Sequence, residues 1–385
     1  MTAAGAGAMP GPLRGRVGAW LCCAALLCGA GAAARGEAPI RVASIFAHTG
    51  VAADDNAFSI QGAREAAEEL NARGGVLGRK LELIELDDLS TPIGAKIAAE
   101  NAVRNQVTAI IGAAWSSHTL AMAPIAQASR TPLISTISTN GEITRVGDCI
   151  FRMCFSDAFQ GKVMAHFARE GLRARTAITI TDLTSDYAIG LSREFEMNFR
   201  QAGGRVTRNL SYKMNQPNFS DIAAEVKALS PDVVFIPGYW ESAVIIKAIM
   251  NLGSSTIPLG GDGWGTERFF DRGGRDIAQA YFSTQWWAED ESPLSRAFVR
   301  KYQRGPLPAD APEALAYDAV YLLADAMRRA GSTDREKVRD ALAATRNFTG
   351  VTGRLSFAGG RDPVRSAVIM AISGGKAHYD KSVQP

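Results

Sequence analysis

The sequence predicts an α/β protein of two doubly wound parallel-sheet lobes. Two patterns point to the sheets. From Ile40 onward, short apolar strands alternate with helix-length amphipathic segments, the mark of open parallel sheets covered by helices on both faces. The alternation holds more strands than one compact sheet accommodates and restarts after Phe155, so two lobes are the economical arrangement.

The elements follow in order. Ile40–Phe46 is an apolar strand, and Gly62–Arg73 an amphipathic helix closed by Gly74-Gly75. Lys80–Asp87 alternates as a strand, Ile93–Asn105 is a helix and Thr108–Ala114 a strand. A helix over Leu120–Ala128 and strands over 131–135 and 149–155 complete the first series. The second series has helices at Gly161–Gly171, Ala188–Ala202, Ser220–Leu229 and Ser242–Leu252. Its strands are Thr176–Thr181, Arg205–Tyr212, Asp232–Pro237 and Ile257–Gly260. Beyond residue 285 come helices at Ser292–Tyr302, Glu313–Ala330 and Arg335–Ala344, then strands at Arg354–Phe357 and Ala367–Ile372. The stripe Leu315, Val320, Leu322, Leu323 and Met327 reads as core packing.

The 42 Lys+Arg and 39 Asp+Glu nearly balance, and no basic stripe with interleaved aromatics occurs, so no nucleic-acid partner is expected. Arg14 and Arg16 precede the apolar run Val17–Cys28 and the small residues Gly29–Ala34. That is the pattern of a secretory signal, and export to a periplasm is expected. Cleavage after Ala34 or Ala38 fits. Cys22, Cys23 and Cys28 each invite lipidation, although bulky Leu27 precedes Cys28. Only Cys149 and Cys154 remain after processing. Their odd spacing along a strand sends the side chains to opposite faces, which favours two separate thiols over a disulfide.

Two strand ends carry hydroxyls. Thr108–Ala114 runs into Trp115-Ser116-Ser117, and Thr131–Ser135 runs into Ser138-Thr139-Asn140. Hydroxyls beside a helix N-terminus either cap it or turn to a ligand, and the positive helix end collects anions. Two such ends side by side form a cradle for a carboxylate. In the second lobe, Tyr187, Tyr239, Trp240 and Asp262 follow strands and Asp157 starts the lobe. Strand ends are where open α/β sheets bind ligands. A carboxylate facing Ser116, Ser117 and Thr139, and an ammonium facing Asp157 or Asp262, together describe a zwitterion. A strand-end Asp also commonly caps the next helix, and Tyr239 also fits as interface packing.

Catalytic signatures are missing. His48, His118, His166 and His378 sit in no metal-ligand spacing, and no G-x-S-x-G elbow surrounds Ser116. Gly260–Gly265 lacks dinucleotide and Walker spacing. Asp87 and Asp88 point to opposite sides of a strand, so they read as loop or hinge structure. No enzyme, cofactor or metal is expected.

The ordered marks across the mature chain resemble the type I periplasmic binding proteins of the leucine/isoleucine/valine-binding group, the substrate-binding components of ABC importers. The marks are Gln61–Ala67, Asn71–Gly78, Glu85–Asp88, Ile111-Gly112 with Ser116-Ser117, Ile134-Ser135 with Thr139–Glu142, and Phe151-Arg152 with Asp157 and Gln160-Gly161. Tyr187–Gly190, Phe219, Asp232–Phe235, Gly238-Tyr239 and Gly261–Gly263 continue them. The resemblance implies two doubly wound parallel-sheet lobes joined by a three-crossing hinge, with an amino acid bound between them. By motif position, Ser116 and Thr139 match residues holding the ligand carboxylate, and Ile137 one offering a backbone group. Tyr187 and Tyr239 match aromatic contacts, and Asp157 and Asp262 acidic positions facing the amine. Position 262 is Asp where leucine-binding members usually carry Glu. Ser90 and Trp115 stand where some members carry a disulfide pair, and Thr49–Asn56 lacks an aromatic where some place a tyrosine.

The expected domains are a signal peptide over 1–38, one lobe over 39–155 plus 285–353, and a second over 156–284 plus 354–385. The expected function is capture of an amino acid, branched-chain or related, by a monomer that delivers it to ABC permease membrane subunits. A non-amine ligand (an aromatic acid, amide or urea) and a ligand-sensing module are the alternatives.

Overall fold

The computed structural model describes residues 11, 37–302, 310–357 and 360–385. The secretory segment expected over 1–38 falls outside them except for residues 11, 37 and 38. Among the described residues no helix is long and apolar enough to cross a membrane.

Strands β1 (Ile40–Phe46), β2 (Leu81–Asp87), β3 (Ala109–Gly112), β4 (Leu133–Ser135) and β5 (Ile150–Arg152) form an all-parallel sheet in the order β2-β1-β3-β4-β5. Helices α1 (Ala53–Ala72), α2 (Pro92–Arg104) and α3 (Ser116–Ala128) connect its first four strands. Strand alternation sorts the residues to two faces. Val42, Phe46, Ile111 and Ile134 pack with α1, whereas Ala43, Ile45, Ile110 and Leu133 pack with α2 and α3.

The second sheet runs β14-β13-β10-β9-β8-β6-β7. Its strands are β6 (Thr176–Asp182), β7 (Arg205–Tyr212), β8 (Val233–Phe235), β9 (Ile257–Gly260), β10 (Ala280–Thr284), β13 (Ala367–Ser373) and β14 (Lys376–Val383). Helices α4 (Asp157–His166), α5 (Asp186–Gln201), α6 (Ser220–Leu229), α7 (Glu241–Asn251) and α8 (Glu267–Asp271) accompany it. The parallel expectation holds for β6 to β10. It fails at the edge, where β13 is antiparallel to β10 and β14 to β13. The short turn at Gly374-Gly375, both with positive φ, permits only a hairpin there.

Helices α9 (Pro293–Tyr302), α10 (Ala311–Ala330) and α11 (Arg335–Ala343) follow the second passage of the chain between the sheets. The apolar stripe of α10 is buried in the first lobe's core, as the periodicity implies. Gly62 allows α10 to approach α1: a Cβ there would meet the Glu313 carbonyl oxygen at 2.2 Å. Gly62→Ala is therefore expected to cost about 1–3 kcal/mol, read as a lower urea midpoint.

The hairpin β11 (Phe348–Gly350) and β12 (Gly353–Leu355) precedes the third passage. Residues from 354 onward were expected in the second lobe, but Leu355 and Phe357 pack in the same cluster as α10. We propose that this passage lies between Phe357 and Ala367. Cys149 and Cys154 flank β5, both free and buried, with burial pushing their thiols up to about 11 and about 12. That leaves both as unreactive neutral thiols.

Candidate ligand-binding site

In the first sheet the strand order reverses between β1 and β3, and in the second between β6 and β8. A cleft forms at the carboxyl end of such a switch point. The loops after these strands share one cavity, with about 480 Å³ of empty space including its mouth. Asp55 and Asn56 reach it from the start of α1, Ala114, Trp115 and Ser116 follow β3, and Ile137 follows β4. Tyr187, Tyr239, Asp262 and Gly263 face them from the second sheet. Five of the expected site residues, Ser116, Ile137, Tyr187, Tyr239 and Asp262, thus line one cavity.

The helix after β3 starts at Ser116 rather than Leu120, so both serines sit in its first turn, and no side chain caps it. The capping alternative therefore fails for these serines. Ser116 Oγ accepts from Asn140 N at 3.3 Å. The His118 N–H already bonds the Trp115 carbonyl at 3.1 Å, whereas the Ser116 and Ser117 N–H groups have no intrahelical acceptor, which makes this wall attractive to an anion. Ser117 lies outside the cavity lining, and its hydroxyl accepts from Asp186 N at 3.1 Å. Asn140 Nδ2 donates to Asp186 O at 2.7 Å. These bonds join the first sheet's loops to the start of α5, and Trp115 stacks on Tyr239 across the cleft at 4.6 Å between ring centroids.

Thr139 and Asp157 also lie outside the lining, almost wholly buried. Thr139 Oγ1 and both Asp157 carboxyl oxygens lack a hydrogen-bond partner of good geometry. Burial pushes Asp157 up to about 8; the nearby Thr139 hydroxyl opposes this and Asp262 adds to it. Unpartnered buried oxygens of this kind are costly until a donor arrives.

Asp262 accepts from Gln160 Nε2 and from Gln285 Nε2, each at 2.9 Å. Burial raises its pKa, while both amides pull it down. Tyr187 OH accepts from Gly263 N at 3.2 Å, and burial raises its phenol well above the ordinary range. A Cβ at Gly261 would meet that hydroxyl at 2.3 Å. Gly261→Ala is expected to push Tyr187 from the cavity wall and weaken ligand binding roughly tenfold, measurable by calorimetry.

Sequence reasoning missed Asp55, Asn56, Thr266 and Pro312 in the lining. Only the position of Asp55 and Asn56 just past an apolar strand signalled them. It also missed Gln285 beside Asp262, because β10 was not recognised. Asp87 and Asp88 hold loops, as expected. Asp87 accepts from the His48, Thr49 and Leu89 N–H groups, and Asp88 binds the buried His118 ring. Among the described residues no group of three or more His, Cys, Asp or Glu is placed to hold a metal ion.

Two sheets meeting at their switch points over a polar-ended cavity define a two-lobed solute-binding protein. Residues 39–376 match the periplasmic binding protein family, and the chain belongs to it. A leucine-, isoleucine-, valine-, threonine- and alanine-binding protein of Pseudomonas aeruginosa is 27% identical over 321 residues, covering 83% of this chain and 85% of that protein. The leucine-binding protein LivK of Thermotoga maritima has a TM-score of 0.86 at 33% identity, covering 90% of this chain and 99% of that one. LivJ of Streptococcus pneumoniae, solved with isoleucine, has a TM-score of 0.84 at 29% identity, covering 90% and 100%.

Proposed function

We propose that the protein is the exported substrate-binding component of an ABC importer and captures an amino acid between its lobes. One observation carries this reading: a single cavity has an anion-attracting helix end on one wall and the buried Asp262 carboxyl on the other, with the unpaired carboxyl of Asp157 beside Asp262 just beyond the lining. The ligand carboxylate docks on the first turn of α3, with Ser116 Oγ and the Ile137 backbone. The ammonium docks between Asp262 on the cavity wall and the carboxyl of Asp157, with Thr139 beside it. Ser117 acts as a closure contact rather than a ligand contact, because its oxygen already receives Asp186 N. Binding closes the lobes by hinge motion, and the closed monomer docks on the permease without altering its cargo.

The relatives' amino-acid ligands support this reading, and the residue pattern at the N-terminus supports export to the periplasm. Thermal-shift screening of the mature protein tests it. A true ligand at a hundredfold its dissociation constant adds about 2.7 kcal/mol of stability. No shift with any amino acid contradicts the reading. A second reading rests on the raised pKa of Asp157: a neutral carboxyl also donates to a ligand that lacks an ammonium. Stabilisation by amides, urea or aromatic acids alone selects it.

A further inference from the structure

Placing the amino-acid head on Ser116 and the pair of Asp262 and Asp157 leaves a wall of Asp55, Asn56, Ala114, Trp115, Thr266 and Pro312 for the side chain. This step rests on the amino-acid reading above. A purely aliphatic side chain would pack against Trp115 and Pro312 but bring no donor to the buried Asp55. Asp55 is only 9% exposed, and its Oδ2 has no hydrogen-bond partner. The Arg268 guanidinium from α8 approaches the same oxygen at 3.6 Å, too far for a hydrogen bond. Arg268 is held by the Val51 carbonyl and lies over the Trp240 ring at 4.7 Å. The pair is therefore fixed from both lobes.

The two charges offset each other. A cationic side chain would compete with Arg268 for Asp55, and an anionic one would be repelled by Asp55. A neutral group with both a donor and an acceptor fits: its N–H completes the empty valence of Asp55 and its oxygen faces the Asn56 amide. We propose that the bound amino acid carries a carboxamide at the end of its side chain, and that Asp55 is the residue that selects it.

L-asparagine and L-leucine provide the test, because their side chains have nearly the same shape and differ in two methyl groups against an oxygen and an amino group. Calorimetric titration of the mature protein is expected to give asparagine the lower dissociation constant by at least about tenfold. Asp55→Leu is expected to reverse that order, and Asp55→Asn to narrow the gap while keeping the fold, checked by the unfolding midpoint. Leucine binding as tightly as asparagine to the unmodified protein overturns the carboxamide proposal and leaves the amino-acid reading intact. Failure of every amino acid to bind overturns both.

Discussion

Asp157→Asn is expected to weaken amino-acid binding by about 100-fold or more and, in the same protein, to stabilise the ligand-free form near neutral pH. The two effects have one cause. Asp157 sits at the start of α4, 1% exposed, with neither carboxyl oxygen hydrogen-bonded. Burial lifts its pKa from 3.8 to about 8. Between those values the folded protein keeps a proton that the unfolded chain has released, so stability falls as pH rises through that window. The amide cannot ionise and removes this dependence, a gain of about 1–3 kcal/mol near pH 8. Denaturant unfolding of both proteins across pH measures it.

The ligand reverses that trend. An ammonium needs the ionised carboxylate, so binding releases a proton from Asp157. Affinity should rise by up to about tenfold per pH unit between roughly pH 6 and pH 8, then level off. Titrations at several pH values check this, and Asp157→Asn should flatten the profile.

Arg152→Met carries the second large effect, expected as a loss of about 3–5 kcal/mol of stability together with weakened binding. Arg152 is fully buried at the end of β5. Its guanidinium donates to Ser138 O at 3.1 Å and to Asn140 O at 2.8 Å. Those carbonyls flank Thr139, in the loop that also carries Ile137. On its other side the guanidinium pairs with Asp362 at 2.6 Å. Methionine fills similar space but donates nothing, so two buried carbonyls lose their partners. Urea unfolding and ligand titration check both losses, and a variant with unchanged stability and affinity would remove Arg152 from the account.

Much of this architecture was legible because it follows from local pattern. β1, β7 and α6 carry apolar spacing and sharp ends, and their observed bounds match the reading. The hydroxyl-bearing ends after β3 and β4 pointed to the cavity that Ser116 and Ile137 line, although the same hydroxyls also read as helix caps. What stayed hidden was short, exposed or distant in sequence. β10 mixes polar and apolar residues, β14 is an edge strand mostly facing solvent, and α8 spans five residues. None has a clear period. α1 begins at Ala53 rather than Gly62, and Asp54-Asp55-Asn56, residue types common in turns, concealed its first turns. Contacts between distant segments leave no local trace. Arg365 donates to Met153 O at 2.6 Å and to Gln285 O at 3.2 Å, tying three segments far apart in sequence, yet nothing around position 365 signals it.

A crystal structure of the mature protein with a bound amino acid tests the central claim most directly. The account predicts a ligand carboxylate oxygen about 2.7–3.2 Å from the first-turn N–H groups of α3 and from Ser116 Oγ, with the ammonium at similar distance from Asp157. A ligand lying in the opposite sense, or held elsewhere while this cavity stays empty, would contradict it.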